Sequence, residues 1–243
     1  MSKRQLLLLS SSNYHGHEFL QFARDWITDF LKKNNVSKIL FIPYASTEPD
    51  SYTKYTEKVA KPLKEFGFDV EGIHESRDPV EAINNASAIF IGGGNTFHLL
   101  KTLYDKRIVE AIRSRVLDNG IPYIGSSAGT NVATVSINTT NDMPIVLPPT
   151  FYALQLLDFN INPHYLDPIT DDKHRGETRA QRINEFHHIN SSPVLGLREG
   201  SALLVDGDNA TLIGHTKAIL FCRNEDPQEF EPDSDLSFLV SSS

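Results

Sequence analysis

The sequence predicts an α/β fold, a mostly parallel central sheet with helices on both faces. Short apolar runs at residues 6–9, 38–43, 88–91 and 121–124 alternate with longer amphipathic segments, the pattern of strands buried on both faces and joined by helices. Two of these runs end abruptly in glycine-rich turns, Gly92-Gly-Gly-Asn-Thr96 and Gly125-Ser-Ser-Ala-Gly129, at the carboxyl end of the sheet, where such folds hold ligands.

The elements follow in order. Residues 6–9 form a first strand, and Phe19, Leu20, Phe22, Trp26, Ile27, Phe30 and Leu31 recur at helical spacing behind it. Residues 38–43 are a strand closed by Pro43. A helix is expected over 52–66, with Pro62 late enough in it to kink it. A short strand at 70–73, a helical turn at 79–84 and a strand at 88–91 follow. Helical material reaches residue 119, then comes a strand at 121–124. Residues 138–149 are rich in Asn, Thr and Pro and read as loop, with one short strand around Ile145. Residues 176–188 read as a helix with Ile183 and Phe186 inward. Strands are expected at 194–197, 201–205, 211–214 and 218–221, with Asp206-Gly207-Asp208-Asn209 as a hairpin turn.

At 243 residues, 40% hydrophobic and 22% charged, the chain has ordinary values for one large globular domain, expected over residues 1–222. A core of this size needs neither disulfide nor metal. The lone Cys222 excludes an intramolecular bridge and a zinc site of paired cysteines, and it points to a reducing compartment. The apolar run at 6–9 is too short for a secretory signal, and no stretch approaches a membrane span, so the expected location is the cytoplasm. Net charge is −8. Residues 223–243 carry six carboxylates against one arginine and read as a solvated, disordered acidic tail. With no basic run and no interleaved aromatics, nucleic acid is not an expected partner.

Gly125-Ser-Ser-Ala-Gly129 carries the chemistry. A G-x-S-x-G sequence between a strand and a helix places its serine on a sharp turn with the hydroxyl in the cleft, and the small flanking residues let strand and helix close around it. Ser127 is therefore the candidate nucleophile, against the simpler reading of a serine that caps a helix; the glycine spacing favours it over Ser126. A serine hydroxyl needs a base. His164, stiffened by the preceding Pro163, suits a fixed base. His187 and His188 stand at a helix end, where a cation meets the dipole, and His98 follows the glycine triplet and lines the cleft. An oxyanion would find donors in the Ala128 backbone N–H and in the Gly92-Gly93-Gly94 turn, with Gly93 at its centre. The rival reading of that turn, a phosphate cradle, lacks both the lysine of a Walker loop and the G-x-G-x-x-G spacing.

Five stretches, residues 90–97, 125–131, 161–165, 175–179 and 195–200, occur in order across a chain that resembles the peptidase E family from Leu6 to about Phe221. That family comprises the α-aspartyl dipeptidases, serine peptidases on a fold related to class I glutamine amidotransferases. The resemblance implies a class I glutamine amidotransferase-like fold, hydrolysis of Asp-X dipeptides, and no cofactor or metal; a homodimer is left open. It carries over Ser127 as nucleophile and His164 as base. For the third member it offers Glu199, with Asp142 as the rival; Glu199 is preferred, which leaves Asp142 to bind the substrate's amino group. An aspartyl side chain entering the site requires a cation, best an arginine fork. Arg179 is preferred, Arg175 and Arg182 are the neighbours considered, and Asn95 is a further substrate-binding candidate. Two other functions compete: a serine hydrolase of the same fold acting on β-aspartyl links, and a non-catalytic small-molecule or nucleotide-binding protein.

Overall fold

Four consecutive leucines make an inner strand, β1 (Gln5–Leu9), whose side chains alternate between two cores. Leu7 and Leu9 pack with Ile27 and Phe30 of α1 (Arg24–Lys33) and with Val59 and Leu63 of α2 (Ser51–Glu65). On the opposite face, Leu6 and Leu8 join a core with helices α3 (Pro79–Asn85), α4 (Thr96–Asp105), α5 (Val109–Leu117) and α6 (Ala128–Ala133). All four leucines are fully buried, and each such side chain contributes about 1.5–3 kcal/mol relative to leaving it exposed. The computed structural model describes residues 3–48, 50–168 and 176–240.

The main sheet has seven strands. β3 (Asp69–Gly72), β2 (Lys38–Ile42), β4 (Ile89–Ile91), β5 (Tyr123–Ser126) and β1 lie side by side and parallel. β8 (Ser201–Asp206) and β9 (Asn209–Gly214) extend it antiparallel beyond β1. The hairpin expected between them is present, Asp206 pairing with Asn209 and Gly207 taking positive φ. The α/β architecture with a mostly parallel sheet is thus the expected one.

A second sheet, absent from the sequence reading, has the order β11-β10-β7-β6. It comprises β6 (Asn160–Pro163), β7 (Val194–Leu197), β10 (Ala218–Phe221) and β11 (Gln228–Phe230). β6 and β7 are parallel, with Pro163 opposite Leu197, and α7 (Arg179–Ile189) connects them. Thr178 and Gln181 form a capping box that starts α7.

Two expectations are corrected. No strand forms around Ile145 among the described residues; 141–150 is irregular and Ile145 is exposed. The acidic tail is not a solvated coil as far as residue 240. β11 pairs with β10, Leu236 is fully buried, and Val240 O accepts from Arg4. Counting its carboxylates missed their partners on the body: Arg198 and Lys217 hold Glu229, and Lys217 also meets Glu231. It also missed the three apolar anchors Leu236, Leu239 and Val240. No helix among the described residues is long and apolar enough to cross a membrane.

Candidate active site

β1 and β5 run parallel and end together, Leu9 opposite Ser126. The chain then turns sharply at Ser127, which has φ 53° and ψ −110°. A non-glycine residue in this region stores strain of about 1–3 kcal/mol and persists only where its surroundings hold it. Here the Ser127 N–H donates to Leu9 O at 3.2 Å, and the Ser127 carbonyl accepts from Thr130 and Asn131 N–H. The two flanking glycines are needed for space: a Cβ on Gly125 would lie 2.6 Å from Gly129 O, and one on Gly129 would overlap Ile91 O. Although Ser127 stands at the N-cap position of α6, its hydroxyl caps nothing. Ser126 is fully buried and its hydroxyl pairs with that of Ser12 at 2.6 Å.

The Ser127 hydroxyl instead lies 2.9 Å from His164 Nε2. His164 follows β6, also at positive φ, 54°. Its Nδ1 is 2.7 Å from Glu199 Oε1. Since a carboxylate accepts, Nδ1 carries the hydrogen and Nε2 is left as the acceptor facing the serine. The pairing follows from the second sheet: β6 and β7 are parallel neighbours in register at Pro163 and Leu197, so residues just beyond their ends, His164 and Glu199, emerge side by side. The Glu199 turn is itself held, its carbonyl accepting from Thr216 Oγ1 at 2.9 Å while Gly200, at φ 85°, lies against the Tyr14 ring.

His98 and His187 have partners of their own. His98 Nδ1 donates to Tyr44 O at 2.9 Å, and the buried His187 Nε2 donates to Ser192 O at 3.0 Å.

Asp142 is not beside the imidazole. Its carboxylate accepts the Thr96 N–H at 2.7 Å, at the start of α4, where the dipole and free amides favour an anion. Asn95, considered for substrate binding, is occupied at both ends: its oxygen caps α4 through His98 N–H and its amide donates to Met143 O. It therefore fixes the Asp142 loop against α4. Arg179 is half-buried at the start of α7. Burial first, then Arg182, holds its guanidinium below the ordinary arginine value, and Asp142 is near enough to oppose that shift. Among the described residues no carboxylate forms an ion pair with it. Arg182 pairs with Glu177 instead. Arg175 lies outside the described residues.

Gly93 borders the serine: a Cβ there would lie 3.1 Å from Ser127 Cβ. Beneath the turn sits Tyr55, its phenol pushed up to about 12 by burial while the Gly93 amide beside it pulls the other way. Ala128 opens α6, so its N–H is among the first-turn donors a helix leaves without an internal partner. Among the described residues no cluster of three or more His, Cys, Asp or Glu side chains could hold a metal. Sequence reasoning missed Ser10, whose hydroxyl bonds the backbone of His164; a serine in a run of three carried no signal of its own.

The arrangement puts a serine hydroxyl, an imidazole and a carboxylate in one line of contacts, and comparison with known proteins places the chain in a lineage. The sequence pattern of peptidase family S51 matches residues 6–213. A Drosophila melanogaster protein named "Probable alpha-aspartyl dipeptidase" is 52% identical over 239 residues, covering 98% of each chain. "Peptidase E" of Streptomyces coelicolor is 48% identical over 235 residues, covering 97% of this chain and 94% of the other. A crystal structure of a peptidase from an acI-B1 actinobacterium shares the fold, with a TM-score of 0.73 at 16% identity and 98% of each chain covered. With a match spanning most of its length and relatives near half identity, this chain belongs to peptidase family S51.

Proposed function

We propose that the protein is a serine α-aspartyl dipeptidase that cleaves Asp-X dipeptides. The observation that carries this reading is the line of contacts from Ser127 Oγ to His164 Nε2 and from His164 Nδ1 to Glu199. The names of the relatives supply the substrate class. Ser127 attacks the carbonyl carbon of the aspartyl residue while His164 takes the hydroxyl proton, and Glu199 holds the imidazole and stabilises the imidazolium that forms. The Ala128 amide and the glycine turn at Gly93 receive the developing oxyanion. His164 then protonates the departing amine, and water, activated by the same imidazole, releases aspartate from the acyl-enzyme.

Arg179 and Asp142 complete the site. A half-buried guanidinium that meets no ion-paired carboxylate among the described residues suits the substrate's side-chain carboxylate. Asp142 nearby offers its charge to the α-amino group, which would select a free N-terminus. The lone Cys222 thiol needs no oxidising compartment, and we place the protein in the cytoplasm.

The experiment is turnover of Asp-Leu by Ser127→Ala. The variant is expected to fold normally, to lose roughly four to six powers of ten in kcat, and to escape labelling by a fluorophosphonate that labels the wild type. Retained turnover in a folded variant would defeat the assignment.

A further inference from the structure

We propose that Ser10 is a positioning residue for catalysis, its hydroxyl fastening the main chain of His164 to the end of β1, the strand whose Leu9 carbonyl holds the nucleophile turn. Ser10 directly follows β1 and is fully buried. Its hydroxyl accepts the His164 N–H at 2.9 Å and donates to Leu197 O at 2.8 Å, while its own N–H donates to Ser201 O at 3.1 Å. One residue earlier, Leu9 O accepts both the Ser127 N–H at 3.2 Å and the Thr130 hydroxyl at 2.7 Å. Two consecutive residues therefore hold the backbone of the nucleophile and the backbone of the base. Ser127 belongs to the end of the seven-stranded sheet, and His164 and Glu199 belong to the ends of the four-stranded one. The relative placement of the two sheets decides whether oxygen and imidazole meet, and Ser10 joins them at the point of meeting.

His164 needs such a hold. Its side chain is about one-third exposed, at 37%, and its backbone is in the left-handed region, which a residue with a Cβ leaves unless its amide is anchored. The anchor is shared, because Leu197 O also accepts the N–H of Tyr165 at 3.0 Å. The Ser10 hydroxyl thus closes a small ring of hydrogen bonds through His164, Tyr165 and Leu197. It lies behind the imidazole on the main-chain side and acts only through His164. Loss of the hydroxyl leaves the part-buried His164 N–H without its acceptor and frees the turn to relax toward ordinary backbone geometry. The Nε2 to Oγ separation then varies, and misplacement by about 1 Å is enough for losses near 10²-fold.

The inference rests on Ser127 and His164 as nucleophile and base, and the test separates the two. Ser10→Ala is compared with Thr56→Val, which removes another buried hydroxyl, on α2 beside Gly72 and bonded to Tyr52 O. Thermal midpoint, kcat, KM and the downfield proton resonance of His164 Nδ1–H are measured, the resonance assigned by its absence in His164→Ala. Ser10→Ala is expected to lose 10- to 100-fold in kcat with KM within about threefold, and to broaden or lose the resonance, while Thr56→Val keeps both whatever its midpoint. Wild-type kcat in Ser10→Ala, or equal kcat losses in the two variants, would overturn the proposal. If Ser10→Ala does not fold, Ser10→Cys decides: intermediate kcat with a broadened resonance supports the proposal and unchanged kcat overturns it. Should His164→Ala itself retain turnover, the catalytic reading fails, and with it this one; if His164→Ala is inactive and Ser10→Ala is not, only the role of Ser10 falls.

Discussion

Glu199 Oε1 stands 2.7 Å from His164 Nδ1, whereas the Asp142 carboxylate is taken by the Thr96 amide at the start of α4. The two carboxylates therefore have different partners, and substitution should separate them. Glu199→Gln keeps the shape of the side chain but offers an amide that can turn its NH2 toward the ring, disturbing the tautomer in which Nε2 accepts. It is expected to lower kcat by about 10²–10⁴-fold with KM little changed. Asp142→Asn still accepts the Thr96 N–H but has no charge for an α-amino group, so the larger effect should fall on KM. Steady-state kinetics with Asp-Leu decides, and a kcat collapse confined to Asp142→Asn would exchange the two roles.

Arg179 should set the preference for aspartate. Its guanidinium is half-buried, depressed chiefly by burial, and has no ion-paired carboxylate among the described residues. A ligand carboxylate would supply the missing partner. Arg179→Met is expected to reduce kcat/KM for Asp-Leu on the order of 30- to 1000-fold and to leave Asn-Leu within a few-fold. The ratio between the two substrates is the measurement. An equal fall for both would mean that Arg179 supports α7 rather than the substrate.

Periodicity made β1, β2, β4 and α2 legible because each is one uninterrupted apolar or amphipathic run, and the sharp turn at Ser127 was legible because its small residues are local. The second sheet was not. Its strands β7 and β10 match the expected runs at 194–197 and 218–221, but β6 and β7 are brought together by a pairing across α7 that leaves no trace in spacing. The position of His164 beside Glu199 is a product of that register. So are the contacts of Ser10, whose partners lie 154 and 187 residues away. The tail was misread for a related reason: charge counting sees Glu229 and Glu231 but not Arg198 and Lys217.

The turn at Ser127 should be intolerant of a single methyl group. A Cβ on Gly129 would overlap the carbonyl oxygen of Ile91, a backbone atom in β4 that cannot rotate aside. Gly129→Ala is expected to destabilise the fold by on the order of 1–3 kcal/mol or more, and to lower kcat in the folded fraction because relief must come from moving α6. Gly16→Ala is the contrast: Gly16 has positive φ, 80°, but nothing lies within 4 Å of its Cβ, so only backbone strain opposes it and kcat should hold. Urea midpoints with unchanged slopes, read beside kcat, measure both effects. Near-wild-type stability in Gly129→Ala would show that the turn has room that these distances deny.

Arg198 should make part of the fold's stability depend on acid pH. Its fork meets both oxygens of Asp167 at 2.7 and 2.6 Å and one of Glu229 at 2.7 Å, its Nη1 donates to Lys217 O, and it lies over the Tyr165 ring. The chain after His164, the Glu199 turn and β11 are thereby joined. The hydrogen bond from Arg198, the largest influence, holds the Asp167 carboxyl below its ordinary value, with burial opposing. A depressed carboxyl contributes stability that is fully present above the unfolded value, about 3.9, and is lost as pH falls through the folded value. The difference in thermal midpoint between wild type and Arg198→Met is therefore expected to be constant from pH 7 to about 5 and to shrink below about 4. Asp206, depressed by Lys33 and Gln5, titrates in the same range but is present in both proteins and cancels from the difference. A gap that persists undiminished to pH 2.5 would assign the contribution of Arg198 to its packing on Tyr165 instead of its carboxylates.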